Sequence, residues 1–240
     1  MAQSKTVLSV VIPAFNEEQR LPSTLKIILK YLRQTSFGAF EIVVVNDGST
    51  DRTSEIAKSA GPEVRIIDLP RPKGGKGRAV KAGVLASQGE WILLSDSDLS
   101  TPIETLERFW TLRQDYDIII GSRALPDSII VKRQNRIKVG LGRLGNKLTQ
   151  WLVVPGMKDT QCGFKLYRRR CHFLFQKQKI IGWGFDFEIL YLARKYGFRM
   201  IEVPVRWTND QASKVRPYHY LLTFIEIFTV RLNHIRGLYR

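Results

Sequence analysis

Short apolar segments alternate with longer amphipathic segments through the first half of the chain. The apolar segments occupy residues 7–15, 40–46, 64–70 and 91–94. They are rich in Val, Ile and Leu, which is typical of buried strands, whereas the intervening segments carry apolar residues at helical spacing. Strands that are apolar on both faces and alternate with helices predict an α/β fold, in which helices cover both faces of a mostly parallel sheet.

A polar cluster directly follows three of these predicted strands. The clusters are PAFNE at residues 13–17, NDGS at residues 46–49 and SDSD at residues 95–98. Ligands of such sheets bind beyond the carboxyl ends of the strands, so we expect the three clusters to meet in one site. Asp, Asn, Ser and Gly are also ordinary turn residues, so any single cluster would indicate no more than a turn.

The third cluster contains two carboxylates that are two residues apart, Asp96 and Asp98. Alternate side chains of an extended segment point the same way, so both carboxylates could converge on one cation. Mg²⁺ and Mn²⁺ prefer oxygen ligands, and protein sites often supply one or two carboxylates while substrate phosphates complete the shell. The pair therefore suits a metal–diphosphate, although a short acidic pair is also compatible with a solvated turn.

The other two clusters suit a nucleotide. The carboxylates of Glu17 and Asp47 can accept hydrogen bonds from ring N–H groups and sugar hydroxyls. The segment KGGKGRA, residues 73–79, lacks the spacing of a Walker A motif. We interpret it as a flexible basic loop that opens a helix and approaches a nucleotide with its backbone.

The charge of the chain indicates anionic partners. Its 240 residues include 38 Lys and Arg against 22 Asp and Glu, for a formal net charge of +16. Nucleic acid, an anionic membrane surface and phosphorylated substrates all suit such a charge. Two cysteines and no secretory signal indicate a reducing compartment, and no apolar run is long enough to predict a membrane span.

The second half is less regular. A basic helix is predicted over residues 130–152, and an amphipathic helix over the tail. We expect a single catalytic domain at residues 1–217, followed by the tail helix at residues 218–240. The tail helix either packs on the domain or lies at a membrane surface.

Nine motifs together carry a family resemblance. In chain order they are SVVIPAFNEE, IVVVNDGSTDRT, KGGKGRAVKAG, SDSD, GSR, DTQCGFKLY, GWGFDFEILYLA, VPVRWTN and SKVRP. Over residues 5–217 the chain resembles the family 2 glycosyltransferases, which have the Rossmann-like GT-A fold. Within that family it is most similar to the dolichyl-phosphate β-glucosyltransferases and, more distantly, to the dolichyl-phosphate mannose synthases.

The resemblance implies a role for each matching residue. The nucleotide-sugar would be bound by Pro13, Ala14, Phe15, Glu17, Asp47, Gly48, Lys76, Asp96 and Ser97. The catalytic residues would be Asp96, Asp98, Asp159 and Arg123, with Asp98 and Asp96 binding Mg²⁺ or Mn²⁺. The acceptor phosphate and its lipid would meet Arg123, Arg143 and Lys214.

The implied reaction is an inverting, metal-dependent transfer of a hexose, with glucose from UDP-glucose as first choice, to a dolichyl or polyprenyl phosphate. The acceptor phosphate has a second pKa near 6, so it is already a nucleophile at neutral pH and needs no strong base. The implied partners are a nucleotide-sugar, a lipid phosphate and an anionic membrane surface, without nucleic acid. The implied location is peripheral, at the cytoplasmic face of a membrane.

Four other readings stay open. The donor could be GDP-mannose, or the acceptor of a family 2 transferase could be something other than a lipid. A sugar nucleotidyltransferase shares the strand–helix architecture, but it would need a glycine-rich loop where this chain has PAFNEE. A nucleic-acid-binding protein would explain the charge, but no nucleic-acid-binding motif is present.

Overall fold

The computed structural model of the chain describes residues 6–70, 75–132, 136–209 and 217–240, and it leaves out the side chains of residues 132, 136–139, 141, 143–144 and 217–220. Within these ranges the strands are β1 (Leu8–Ala14), β2 (Phe40–Asn46), β3 (Val64–Asp68), β4 (Trp91–Leu94), β5 (Ile118–Ser122), β6 (Ile129–Lys132), β7 (Lys165–Arg168), β8 (Met200–Pro204) and β9 (Arg206–Thr208). The helices are α1 (Leu21–Gln34), α2 (Thr53–Lys58), α3 (Lys76–Ala86), α4 (Thr105–Leu112), α5 (Arg136–Leu152), α6 (His172–Lys177), α7 (Phe185–Lys195) and α8 (Pro217–Ile235).

Seven strands form one sheet in the order β3-β2-β1-β4-β7-β5-β8. The pairs β3·β2, β2·β1, β1·β4 and β5·β8 are parallel, and only β7 runs antiparallel to both of its neighbours. The mostly parallel sheet predicted from the alternating segments is therefore confirmed. Strands β6 and β9 form a separate parallel pair beside it.

Each face of the main sheet carries its own apolar core. Alternate residues of β1 divide between the faces: Val10 and Ile12 pack with α1 and α4, whereas Val11 packs with α3, α7 and α8. All three side chains are fully buried, and burial of a side chain of this size stabilises the fold by roughly 1.5–3 kcal/mol. Helices therefore cover both faces, as predicted.

The basic segment differs from the prediction of one helix over residues 130–152. Its first residues form β6, and α5 begins only at Arg136. Ile129, Ile130 and Val131 are β-branched, and Ile129 and Ile130 lie opposite Arg206 and Trp207 of β9. Pairing with β9 therefore prevails over the helical propensity of the basic residues.

The tail forms the predicted helix, and α8 has two different faces. Ile227 and Val230 belong to the core, whereas Leu221, Ile225 and Phe228 are more than half exposed. Beyond α8 the chain turns back, and the fully buried Tyr239 donates its hydroxyl to Glu188 at 2.5 Å. Among the described residues, no helix combines the length and apolar character that crossing a bilayer requires.

Candidate active site

The three polar clusters meet where the order of the sheet reverses. From β1 the chain goes to β2 on one side, and β4 lies on the other, so the carboxyl ends of β1 and β4 flank a switch point. The Asp47 N–H donates to the Ala14 carbonyl at 2.9 Å, and the Ser95 N–H donates to the Val11 carbonyl at 3.0 Å. This is the meeting of three strand ends that the sequence predicts.

A fourth segment lies at the same edge because strand β7 runs antiparallel to β4 and β5. Lys165, its first residue, lies opposite Leu94 of β4 and Ile120 of β5. The DTQCGF segment that precedes β7 therefore arrives beside the carboxyl ends of the parallel strands. Arg123 follows β5 at this edge, so the two halves of the chain share one site.

The Asp96 carboxylate is paired with a basic side chain and lies close against a glycine. Lys76 Nζ lies 2.6 Å from Asp96 Oδ1. A Cβ at Gly163 would collide with the Asp96 carboxylate, so only glycine leaves room for it there. Burial opposes ionisation of Asp96, but the charges of Lys76, Lys165 and Arg123 prevail and hold its pKa below the usual range.

Asp98 has the opposite electrostatic environment. Burial and the negative charge of Asp96 both raise its pKa above the usual range, although the Ser100 N–H donates to Asp98 Oδ1 at 2.9 Å. A cation placed between the two carboxylates would relieve the repulsion between them. The pair at Asp96 and Asp98 thus has the oxygen chemistry that Mg²⁺ or Mn²⁺ prefers.

A buried ion pair lies behind this acidic pair. Lys165 Nζ lies 2.5 Å from Asp186 Oδ1, and both side chains are withdrawn from solvent. The charges of Lys165, Lys76 and Asp96 all act on Asp186, whose pKa burial raises. Among the described residues, four carboxylates, at Asp96, Asp98, Asp159 and Asp186, thus lie near three cations, at Lys76, Arg123 and Lys165. The excess of negative charge again fits a divalent cation.

The Asp47 carboxylate is bonded to the start of α3. Its carboxylate accepts from the Gly75 N–H at 2.7 Å and from Arg78 Nη2 at 2.7 Å. The Gly77 and Arg78 N–H groups donate to the carbonyls of Gly182 and Ile181. The prediction that residues 73–79 approach a nucleotide with their backbone is therefore wrong for these three amides, because they are already bonded. Residues 73 and 74 lie outside the described part of the chain.

Two turns form the far wall of the site. The Asn16 N–H donates to Ser49 Oγ at 2.8 Å, which ties the turn after β1 to the turn after β2. Gly48 has a φ of 75°, where a residue without a side chain is favoured. Phe15 is exposed at 41%, while Pro13 is half-buried and Glu17 binds Arg20 through both carboxylate oxygens at 2.7 Å. Ala14 and Ser97 are buried, and the Ser97 carbonyl accepts the Thr24 hydroxyl at 2.6 Å.

Arg123 and Asp159 form a bidentate pair. Arg123 Nε lies 2.7 Å from Asp159 Oδ2, and Arg123 Nη2 lies 2.9 Å from Oδ1. Glu202 fixes the backbone beneath them by accepting the N–H groups of Lys158 and Asp159 at 2.8 Å. Burial opposes ionisation of Asp159, but the Arg123 guanidinium holds its pKa below the usual range. The guanidinium also lies over Trp207, 5.4 Å from the ring centre.

Two predicted residues are not placed, and several others emerge. Lys214 and the side chain of Arg143 lie outside the described residues. The structure adds Arg78, Lys165, Asp186, Glu202 and Glu226 to the site or its support. A lysine within an apolar strand segment and an aspartate that opens an apolar helix are local signs for Lys165 and Asp186. Nothing local in the sequence marks Glu202, which lies far from Asp159 along the chain.

A family model described as "Glycosyl transferase family 2" matches residues 9–173. The chain is 35% identical to a dolichyl-phosphate beta-glucosyltransferase of Dictyostelium discoideum over 97% of its own length and 76% of that protein's. It is 36% identical to the Homo sapiens protein of the same name, over 97% of this chain and 77% of that one. The Saccharomyces cerevisiae protein of that name is 30% identical over 97% of this chain and 76% of that protein.

Solved structures with the same fold are more distant in sequence. A mannosyl-3-phosphoglycerate synthase from Rubrobacter xylanophilus superposes with a TM-score of 0.72 at 14% identity, over 98% of this chain and 76% of that one. Mycobacterium tuberculosis glucosyl-3-phosphoglycerate synthase, solved with Mn²⁺, UDP-glucose and phosphoglyceric acid, superposes with a TM-score of 0.66 at 18% identity, over 95% and 79%. These likenesses show a common fold.

Proposed function

This chain belongs to glycosyl transferase family 2, and on that premise we propose that it transfers glucose from UDP-glucose to dolichyl phosphate or a similar polyprenyl phosphate. The observation that carries the proposal is the cluster of Asp96, Asp98 and Lys76 at the switch point, where a sugar diphosphate would bind. The choice of glucose and dolichyl phosphate follows the names of relatives that align along nearly the whole chain.

The uridine half of the donor would lie against the wall formed by the two tied turns. Phe15, which is 41% exposed, and the half-buried Pro13 would contact the base. Glu17 and Asp47 would accept hydrogen bonds from the base or ribose. Because both carboxylates already bind arginines, Arg20 and Arg78, they are held in fixed orientations before a donor arrives.

Asp96 and Asp98 would hold Mg²⁺ or Mn²⁺, with phosphate oxygens of the donor completing the ligand set. When bound, such an ion supplies Lewis acidity at the departing diphosphate. Within the described part of the chain, the basic side chain of Lys76 lies 2.6 Å from Asp96. Its charge would stabilise the negative charge that accumulates on the leaving group as the glycosidic bond breaks.

The acceptor phosphate would bind at Arg123 and attack the anomeric carbon from the face opposite the diphosphate. A phosphate monoester is largely doubly ionised at neutral pH, so it needs no proton removed. Arg123 directs two of its five N–H donors at Asp159 and keeps others for phosphate oxygens. Direct displacement inverts the sugar, so an α-linked donor gives a β-linked lipid phosphate. Lys214 and Arg143 stay proposed contributors at the acceptor.

The outer face of α8 would meet the membrane that carries the acceptor. Six apolar residues recur along it at helical spacing, each exposed by 43% or more: Leu221, Leu222, Ile225, Phe228, Leu232 and Ile235. Trp151 of α5, the helix that packs beside α8, is 76% exposed. The single acidic residue of α8, Glu226, faces inward, while Arg231, Arg236 and Arg240 are exposed. An apolar face flanked by cations and free of acids suits an anionic lipid surface.

We further propose a peripheral position at the cytoplasmic face, in keeping with two buried free thiols that suit a reducing compartment. Nucleic acid is not part of the proposal, because phosphate substrates and anionic lipid account for the charge of +16. The proposed division stands at residue 217, with a catalytic domain before it and the lipid-facing helix after it.

A transfer assay tests the function. Purified protein is incubated with Mg²⁺ or Mn²⁺, a short polyprenyl phosphate, and either labelled UDP-glucose or labelled GDP-mannose. Label that moves into the organic phase from UDP-glucose alone is the expected result. Label that moves from GDP-mannose instead would overturn the assignment of UDP-glucose as the donor and leave the proposed mechanism unchanged. Label that reaches a soluble phosphate monoester and no lipid would overturn the acceptor.

A further inference from the structure

Glu226 lies on the inner face of α8 and bonds to a segment of backbone far from it in sequence. Its Oε2 accepts the Gly184 N–H at 2.6 Å. Glu226 is also the single acid between residues 217 and 240, on a helix whose outer face is apolar. Partial burial of this carboxylate carries a cost in desolvation, which its bond to the Gly184 N–H offsets.

The segment that Glu226 holds, residues 179–184, is called the clamp loop here. A second buried carboxylate, Glu188, holds its other end by accepting the N–H groups of Lys179 at 3.0 Å and Ile180 at 2.8 Å. In the middle of the loop, the carbonyls of Ile181 and Gly182 accept the N–H groups of Arg78 and Gly77 at the start of α3. The clamp loop therefore joins α8 to the first turn of α3.

That first turn carries Lys76, the basic residue beside the donor phosphates. Lys76 Nζ lies 5.5 Å from the centre of the Trp183 ring, which belongs to the clamp loop, and 2.6 Å from Asp96. The ring and the carboxylate thus set the position of the Lys76 ammonium from two sides. A shift of the clamp loop would move both the ring and the backbone of α3.

Two glycines show how closely Glu226 approaches the loop. A Cβ at Gly182 would collide with the Glu226 carboxylate, and a Cβ at Gly184 would collide with Phe187 and press on Glu226. The glycines on both sides of Trp183 therefore leave room for the carboxylate. This close fit, together with the bond to Gly184, indicates that the loop accommodates the Glu226 carboxylate specifically.

We propose that Glu226 is a positioning residue for the donor site: it fixes the clamp loop, and through it Trp183 and the start of α3, so that Lys76 stays beside Asp96. The role of Lys76 at the donor diphosphate rests on the proposed function, whereas the link from α8 to α3 rests on geometry alone. The helix that faces lipid on one side is thus bonded to the donor site on the other.

Hydrogen exchange on the full chain tests the link without substrates. Glu226→Ala removes the acceptor, and Glu226→Gln keeps an oxygen for the Gly184 N–H. Ile227→Ala shortens a buried apolar side chain on the same helix and keeps the Glu226 carboxylate. Faster exchange in residues 75–80 and 179–184 is expected for Glu226→Ala only, with Glu226→Gln close to the parent protein. Unchanged exchange in Glu226→Ala, or the same change in Ile227→Ala, would overturn the proposal.

Kinetics and binding then test the consequence for the donor. Glu226→Ala should raise the KM for the nucleotide-sugar about tenfold and leave the KM for the acceptor within about twofold, because the displaced groups, Trp183 and the start of α3 with Lys76, lie on the donor side. Binding of UDP with Mn²⁺ by calorimetry should weaken in parallel and recover in Glu226→Gln. A parent protein that does not bind UDP would refute the proposed function, while the exchange result would still decide the link.

Discussion

Asp159 is best understood through its partner. Both of its carboxylate oxygens accept from Arg123, and its low pKa keeps it ionised and weakly basic at neutral pH. A carboxylate in that state is a poor general base. Asp159, which the family resemblance implies to be catalytic, is therefore better suited to orienting Arg123 than to accepting a proton.

Exchange of Arg123 for lysine tests that role. Lys keeps the charge but cannot bond both oxygens of Asp159, so the cation would lose its fixed direction. We expect kcat/KM for the acceptor to fall about 10- to 100-fold in Arg123→Lys. The KM for the donor should change little in steady-state kinetics. A parallel rise in both KM values would contradict an acceptor-side role.

Asp98 carries the metal prediction. Asp98→Asn keeps the shape of the side chain and removes the charge that a cation needs, so metal-dependent turnover should fall about 100-fold or more. The melting temperature should stay the same or rise, because burial and Asp96 already disfavour the charged form. Asp115→Asn, an exposed change before β5, is the matched control and should keep full activity. Full turnover in Asp98→Asn would refute the assignment.

The sequence predicts these acidic residues but not their neighbours. Asp96 and Asp98 stand out because a strand leads straight into them, and the strand order explains where they lie. Lys165 and Asp186 leave only a weak local sign, a charged residue in an apolar segment, and the sequence does not show that they pair across β7 and α7. A contact between distant segments leaves no local pattern, and the same holds for Glu202 and Glu226.

At the scale of elements, the start of β5 depends on one buried carboxylate. Asp117 is fully buried, accepts from Arg170 Nε at 2.7 Å and accepts the Arg199 N–H at 2.9 Å. It therefore joins β5 to the turn after β7 and to the start of β8. Burial opposes its ionisation, but Arg170 and the Arg199 N–H hold its pKa below the usual range.

Asp117→Asn should lower the free energy of unfolding by about 1–3 kcal/mol at neutral pH. Because the folded pKa lies below the unfolded value of about 3.9, the stabilisation is complete above that value and is lost as the pH falls through the folded pKa. The gap in melting temperature between the two proteins should therefore shrink between pH 7 and pH 3 in calorimetry. Asp115→Asn is the control, and a gap that widens in acid would contradict the assignment.

The outer face of α8 predicts lipid binding. Phe228→Glu puts a charge in the exposed apolar row and should reduce partitioning onto anionic vesicles about tenfold or more, measured by co-sedimentation. Ile27→Glu on α1, on the other side of the sheet, changes an equally apolar exposed residue and should have no effect. Unchanged partitioning in Phe228→Glu, together with loss of a dimer, would assign the face to a second copy of the chain instead.

The elements of the first half could be predicted because the strands are short apolar runs and the helices carry apolar residues at helical spacing. The second half could not be predicted as well. Residues 129–131 form β6 because β9 lies beside them, and β9 is only three residues long. Pairing of short strands is decided by tertiary contacts rather than by local pattern.

Across the whole molecule, the charge of +16 predicts a salt-sensitive attachment to membranes. The range of electrostatic attraction shortens from about 10 Å at 0.1 M salt to about 3 Å at 1 M. Partitioning onto anionic vesicles should therefore fall steeply as salt rises, while the smaller binding to neutral vesicles, driven by the apolar face, should persist. Equal salt dependence on both kinds of vesicle would contradict the prediction that charge drives binding to anionic vesicles and the apolar face drives binding to neutral ones.

The single antiparallel strand has a consequence for how such a molecule can diversify. The strands β3-β2-β1-β4 lie on one side of β7 and would bind the nucleotide in the proposed function, while β5 and β8 lie on its other side with Arg123 and Glu202. Under the proposed function, changes confined to β5 and β8 would therefore alter the acceptor side, whereas changes in residues 179–184 or α8 would also reach Lys76 on the donor side. Strand β7 is thus the boundary between two parts of the sheet. In evolution, one acceptor could be exchanged for another while the nucleotide chemistry is kept.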